Sequence, residues 1–143
     1  MSELDQLYQA VIVDHDRAPR NHGPLASATH QATADNPLCG DIITLHLHIE
    51  GGVIRDLSFE GRGCALSRAA ASILTTMLQG RPLAAAHALA AAFDAFVQSA
   101  PDVPADAQLG ELTAFAGVRR FRSRRACATL PLRALAAAIA AAA

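Results

Sequence analysis

Residues 41–60 read DIITLHLHIEGGVIRDLSFE, and this stretch decides the fold. Ile43, Leu45, Leu47 and Ile49 alternate with Ile42, Thr44, His46 and His48, a period of two that gives a strand one apolar face. Gly51-Gly52 fits a two-residue hairpin turn. The chain then returns over residues 53–60, with Val53, Leu57 and Phe59 on one face. Residues 29–34 form a weaker strand ahead of this pair. The middle of the chain is therefore a three-stranded antiparallel sheet.

Helices are expected on either side of the sheet. Over residues 2–15, Leu4, Leu7, Tyr8, Val11 and His15 recur at helical spacing and form one apolar stripe. Ser2 suits the N-cap, with Asp5 three positions on, and Pro19 with the 21–24 cluster ends the segment. After the sheet, residues 65–79 read as a helix stopped by Gly80. A second begins after Pro82 and runs to about Gln98. A shorter one covers residues 109–115, and a final alanine-rich helix runs from Cys127 to the end. Pro131 disturbs its first turn, because it has no N–H for the carbonyl of Cys127. The layout is a single α+β domain over residues 1–143, with an N-terminal helix and further helices packed on one face of the sheet.

Composition narrows the function. Twelve basic residues, all arginine, face thirteen acidic ones, for a net charge of −1 and a pI near 6.6. That balance argues against a nucleic-acid binder. Aromatics are 4% and alanine supplies thirty-three positions, so the core is built from small and aliphatic side chains. The longest apolar run, residues 134–143, is too short for the roughly 20 residues that span a bilayer. The acidic N-terminus shows no apolar h-region, so no signal peptide is expected, and three cysteines exclude a disulfide-rich secreted module. The expectation is a cytoplasmic protein with reduced thiols and no membrane partner.

Those cysteines are the chemical signal. Cys39 lies between Asn36-Pro37-Leu38 and Gly40-Asp41, Cys64 follows Gly61-Arg62-Gly63, and Cys127 follows an arginine-rich stretch. Each falls at a junction between expected elements. One such cysteine alone reads as an inert core residue; three in the same setting point to a shared site. Helix N-termini at Cys64 and Cys127 would favour thiolate, the form that attacks sulfur and binds metal. Cys39 and Asp41, two apart in extended chain, point to one side. Three thiolates and a carboxylate make a closed zinc site; three cysteines with one further ligand also suit an iron–sulfur cluster.

Several motifs resemble the SufU/IscU/NifU N-terminal family of iron–sulfur assembly proteins. They are residues 7–15, Pro19-Arg20-Asn21, Asn36-Pro37-Leu38-Cys39-Gly40-Asp41, residues 59–67, the segment from Leu109-Gly110-Glu111 to Gly117-Val118, and residues 124–130, in the family's order along nearly the whole chain. Ala126 stands where the IscU branch has a histidine before the third cysteine. Arg124, three residues before that cysteine, and the long gap between Cys64 and Cys127 are similar to the SufU branch. The resemblance implies zinc held by Cys39, Asp41, Cys64 and Cys127, with Cys39 as acceptor of persulfide sulfur. It implies a sulfurtransferase-like partner of a SufS-type cysteine desulfurase that serves downstream iron–sulfur assembly proteins. The alternative within the family is a scaffold on which a [2Fe-2S] cluster is built. Pro131 and the small-residue C-terminal helix depart from the family pattern.

Other residues have simpler expected roles. His46 and His48 are expected on a solvent-facing strand face, and His15 as a packed or hydrogen-bonded core residue. Asp35 and Asn36 shape the turn before Pro37. The arginines at 119, 120, 122, 124 and 125 are a solvated face, a docking patch for an acidic partner, or electrostatic support for thiolate at Cys127, with Arg124 the member singled out through the family resemblance.

Overall fold

The computed structural model describes residues 2–141. Helix α1 (Glu3–Arg17) is followed by strands β1 (His30–Asn36), β2 (Asp41–Glu50) and β3 (Val53–Arg62). Helices α2 (Ala65–Leu78) and α3 (Leu83–Gln98), a 3₁₀ segment (Ala107–Arg120) and helix α4 (Arg122–Ala140) complete the chain. The expected α+β architecture is present. The last two residues of the expected final helix, 142 and 143, lie outside the described residues.

The sheet has order β1-β2-β3, antiparallel throughout. Gly51 and Gly52 take φ of +61° and +73°, the left-handed pair that a type I′ hairpin turn requires. Ile43, Leu45, Leu47, Leu57 and Phe59 are buried on one face. Helix α4 covers β1 and β2 on that side, and α2 covers β3. Further out, Phe93 of α3 meets Phe115 of the 3₁₀ segment edge to face, centroids 5.6 Å apart.

Four expectations need correction. A register shift between His48 and Ile49 pairs Ile49 with Ile54, so Ile54, not Val53, enters the core; an extra residue in one strand reverses the alternation beyond it. His46 is buried rather than solvent-facing, with Nδ1 3.0 Å from Gln31 Oε1 and Nε2 2.8 Å from Glu60 Oε1. The expected 109–115 helix is a longer 3₁₀ segment, kinked at Gly110 where φ is +50°. Finally, the stripe on α1 is buried only in part. The Ser2–Asp5 capping box forms as expected, but Leu4 and Leu7 are more than half exposed, because α1 meets the core from Val11 onward.

The C-terminal end of α1 is fixed by a polar brace. Buried His15 places Nδ1 2.7 Å from Ser72 Oγ on α2 and Nε2 3.1 Å from Glu111 Oε1 on the 3₁₀ segment. The Arg20 backbone N–H donates to the same Ser72 hydroxyl at 2.8 Å. His15 is thus the hydrogen-bonded core residue the sequence suggests, and it ties α1 to α2 and the 3₁₀ segment.

Candidate metal centre

Asp41 opens β2 and is fully buried. Its Oδ1 accepts the backbone N–H of Cys64 at 2.7 Å, and its Oδ2 accepts the Cys64 thiol at 3.3 Å. Gly63 makes this approach possible. Its φ is +126°, and a Cβ there would stand 2.1 Å from Asp41 Oδ1 and 2.7 Å from Asp41 Cα; only glycine fits. Cys64 is the N-cap of α2, as its sequence setting suggests. Fully buried Ser67 donates its hydroxyl to the Cys64 carbonyl at 3.2 Å and steadies that first turn.

Cys39 stands opposite, exposed on the turn between β1 and β2. Buried Asn36 organises that turn. Its carbonyl accepts the N–H groups of Cys39 at 3.1 Å and Gly40 at 2.8 Å. Its Oδ1 accepts the Leu38 N–H at 3.2 Å, and its Nδ2 donates toward Cys39 Sγ at 3.7 Å. Asn36 therefore does more than shape a turn: its amide also touches the exposed sulfur. Leu38 beside it is 91% exposed.

Cys127 departs from its expected setting. Helix α4 begins at Arg122, so Cys127 lies in its second turn, buried inside an element rather than at a junction. Arginine is a good helix former, and the Arg124 and Arg125 N–H groups both bond the Phe121 carbonyl. The helix dipole thus gives this thiol no terminal position. Burial pushes its pKa well up, and the nearby Cys39, Asp41 and Cys64 act in the same direction. The Cys127 thiol donates to Cys39 Sγ at 3.4 Å. Pro131 sits buried within α4 instead of delaying its start.

These residues converge. Cys39, Asp41 and Cys127 each offer an atom within 4.8 Å of the others, and Cys64 joins through its contact with Asp41. Tetrahedral coordination with bonds of roughly 2.3 Å sets neighbouring sulfurs about 3.8 Å apart, close to the 3.4 Å between Cys39 and Cys127. Among the described residues no arginine or histidine forms an ion pair with Asp41. A divalent cation would supply the countercharge that a buried carboxylate needs and hold the thiols as thiolates. The donor set fits zinc, and three thiols equally suit iron–sulfur ligation.

The arginine patch divides. Buried Arg119 donates to the carbonyls of Ala100, Pro101, Val103 and Ala116 and lies 4.3 Å from the Phe96 ring centroid. Arg125 donates to the Arg119 carbonyl. Both are structural. Arg124 is exposed, its guanidinium 4.6 Å from the Phe121 ring centroid, with no hydrogen bond to a cysteine among the described residues. It lines a groove of about 730 Å³ with Tyr8, Ile12, Leu66 and Phe121.

Fold and thiol cluster together define the class: a small α+β protein that gathers three cysteines and a buried carboxylate at one end of its sheet. Residues 7–128 match the family described as NifU-like N terminal domain, and the chain belongs to that family; several of its relatives are named for iron–sulfur cluster assembly. It is 39% identical over 139 residues to the iron–sulfur cluster assembly scaffold protein IscU of Streptococcus pyogenes, covering 97% of this chain and 86% of the relative. It is 37% identical over 134 residues to the zinc-dependent sulfurtransferase SufU of Bacillus subtilis, covering 94% and 90%. The crystal structure of a nitrogen-fixing NifU-like protein (N-terminal) from Brucella abortus superposes with a TM-score of 0.84 at 26% identity, over 97% of this chain and 96% of that one. Among the described residues no helix is long and apolar enough to cross a membrane.

Proposed function

We propose that this chain is a zinc-dependent sulfur acceptor that takes persulfide sulfur from a SufS-type cysteine desulfurase, in the cytoplasm, for iron–sulfur cluster assembly. The carrying observation is the exposed Cys39 sulfur, in contact with a buried cluster of Cys127, Asp41 and Cys64. The zinc-dependent SufU relative supports the same reading. Cys39, Asp41, Cys64 and Cys127 would hold the zinc, which keeps their thiols ionised when bound. Cys39 is the one ligand on an exposed turn, so its sulfur is the one a donor protein reaches. The Cys39 thiolate attacks the outer sulfur of the desulfurase persulfide, the desulfurase thiolate leaves, and Cys39 carries the persulfide. Arg124 stands on the approach surface and would position the donor rather than touch the thiols.

The test is metal content together with desulfurase stimulation. Protein purified without oxygen should contain one zinc per chain and raise the turnover of a cysteine desulfurase. Cys39→Ser should abolish the stimulation with the circular dichroism spectrum unchanged, and Asp41→Ala should lose both zinc and stimulation. Stoichiometric iron and sulfide without zinc would overturn this reading in favour of the scaffold function named for the Streptococcus relative.

A further inference from the structure

Three thiols meet here, but not as equals. Cys64 is engaged by Asp41, through both its backbone N–H and its sulfur. Cys127 has a different neighbour: its thiol points at Cys39 Sγ, 3.4 Å away. The thiol pair in direct contact joins an exposed turn to a buried helix, 88 residues apart in sequence. A disulfide bond is roughly 2.05 Å long, so closing the pair takes an approach of little more than an ångström. The turn that carries Cys39 is bordered by Gly40 at φ +72°.

We infer that Cys127 is the resolving thiol for sulfur carried on Cys39. The inference rests on Cys39 being the sulfur acceptor. With the metal removed and a persulfide on Cys39, the Cys127 thiol passes its proton to the outer sulfur as its own sulfur attacks the inner sulfur of that persulfide. A bond forms between Cys127 Sγ and Cys39 Sγ, and the bond from Cys39 Sγ to the outer sulfur breaks. The outer sulfur leaves with the electron pair of that bond, takes up the Cys127 proton and departs as hydrogen sulfide. Two cysteine sulfurs are oxidised to a disulfide, and one sulfane sulfur is reduced to sulfide. No external oxidant or reductant enters. Because Cys39 is exposed, the leaving sulfur has a path to solvent. The chain thereby converts sulfane sulfur into sulfide, the oxidation state that cluster formation consumes, and does so once per reduction of its own cysteines.

Chemical loading separates this step from the desulfurase. The full chain, metal-stripped and reduced, is treated with inorganic polysulfide without oxygen and desalted at once. Sulfide is then followed in time, and cysteine peptides are mapped after alkylation. The expected result is one sulfide per chain, a Cys39–Cys127 disulfide and an alkylated Cys64. Cys127→Ser should hold the extra sulfur on Cys39 and slow sulfide release at least about tenfold, since it loses a thiol already in contact. A stable Cys39 persulfide in the unsubstituted chain, sulfur relayed onto Cys127, or a disulfide that includes Cys64 each overturns the inference while leaving Cys39 as acceptor. A chain in which Cys39 takes up no sulfur overturns the acceptor reading and this step with it. The mapping of the unsubstituted chain decides the matter even if a variant fails to fold.

Discussion

The thiol cluster has a floor and a lip, built on different principles. The floor is Asp41, Gly63, Cys64 and Cys127: the Asp41 carboxylate and Cys127 are buried, and the glycine is there because nothing larger fits. The lip is the turn over residues 36–40, where buried Asn36 anchors exposed Leu38 and Cys39. Packing fixes the floor, whereas a few hydrogen bonds to one side chain fix the lip. The proposed function, in which the site holds a metal and offers one sulfur to another protein, needs this asymmetry. Substitutions should therefore damage stability on one side and chemistry on the other.

The strongest way to break that contrast is Gly63→Ala. A methyl group 2.1 Å from Asp41 Oδ1, on a backbone at φ +126°, should destabilise the fold by on the order of 3 kcal/mol, and thermal unfolding would show it as a drop of roughly 10 °C. An unchanged melting temperature would mean the floor is not rigid. Next is Asn36→Ala. It removes the Oδ1 acceptor of the Leu38 N–H and the Nδ2 contact to Cys39, for a cost of about 1 kcal/mol, and should speed alkylation of Cys39. Slower alkylation would show that Asn36 exposes the sulfur instead of restraining it. The contrast is sharpened in the unsubstituted, metal-free chain, where iodoacetamide should modify Cys39 well before Cys127; exposure and the raised pKa of the buried thiol act together. Equal rates, read by peptide mass, would erase the distinction between lip and floor. The smallest effect on stability belongs to Leu38→Ala, within about 0.5 kcal/mol. If this exposed side chain meets the sulfur donor, the desulfurase concentration needed for transfer should rise while melting stays put.

Much of the floor could be read before any coordinates. Period-two alternation and Gly51-Gly52 located the hairpin, and the setting of Cys64 after Gly63 placed it at a helix start. The bulge at Arg55, opposite the step from His48 to Ile49, was invisible, because a pattern of alternating residues carries no mark of an inserted one. The start of α4 was hidden for a related reason: a run of arginines has high helix propensity but no apolar period to reveal it. That one miss moved Cys127 from a junction to a helix interior and reversed the direction of its pKa. The second task of Asn36 was equally hidden, since a side chain that caps a turn and also reaches a sulfur looks in sequence like any turn asparagine. His46 reads as a polar strand residue; its burial depends on Gln31 and Glu60 from the neighbouring strands.

The separation of Cys39 and Cys127 by 88 residues also sets an order of events during synthesis. A ribosome adds residues from the N-terminus, so the hairpin, Asp41 and Cys64 emerge and can meet while α4 is still unmade. At that stage the nascent chain offers an incomplete set of donors, two thiols and a carboxylate. The site closes only when α4 docks across β1 and β2, which makes tight metal capture a report that α4 has been made. Chains stalled before Arg122 should accordingly bind zinc weakly, and chains that include α4 tightly.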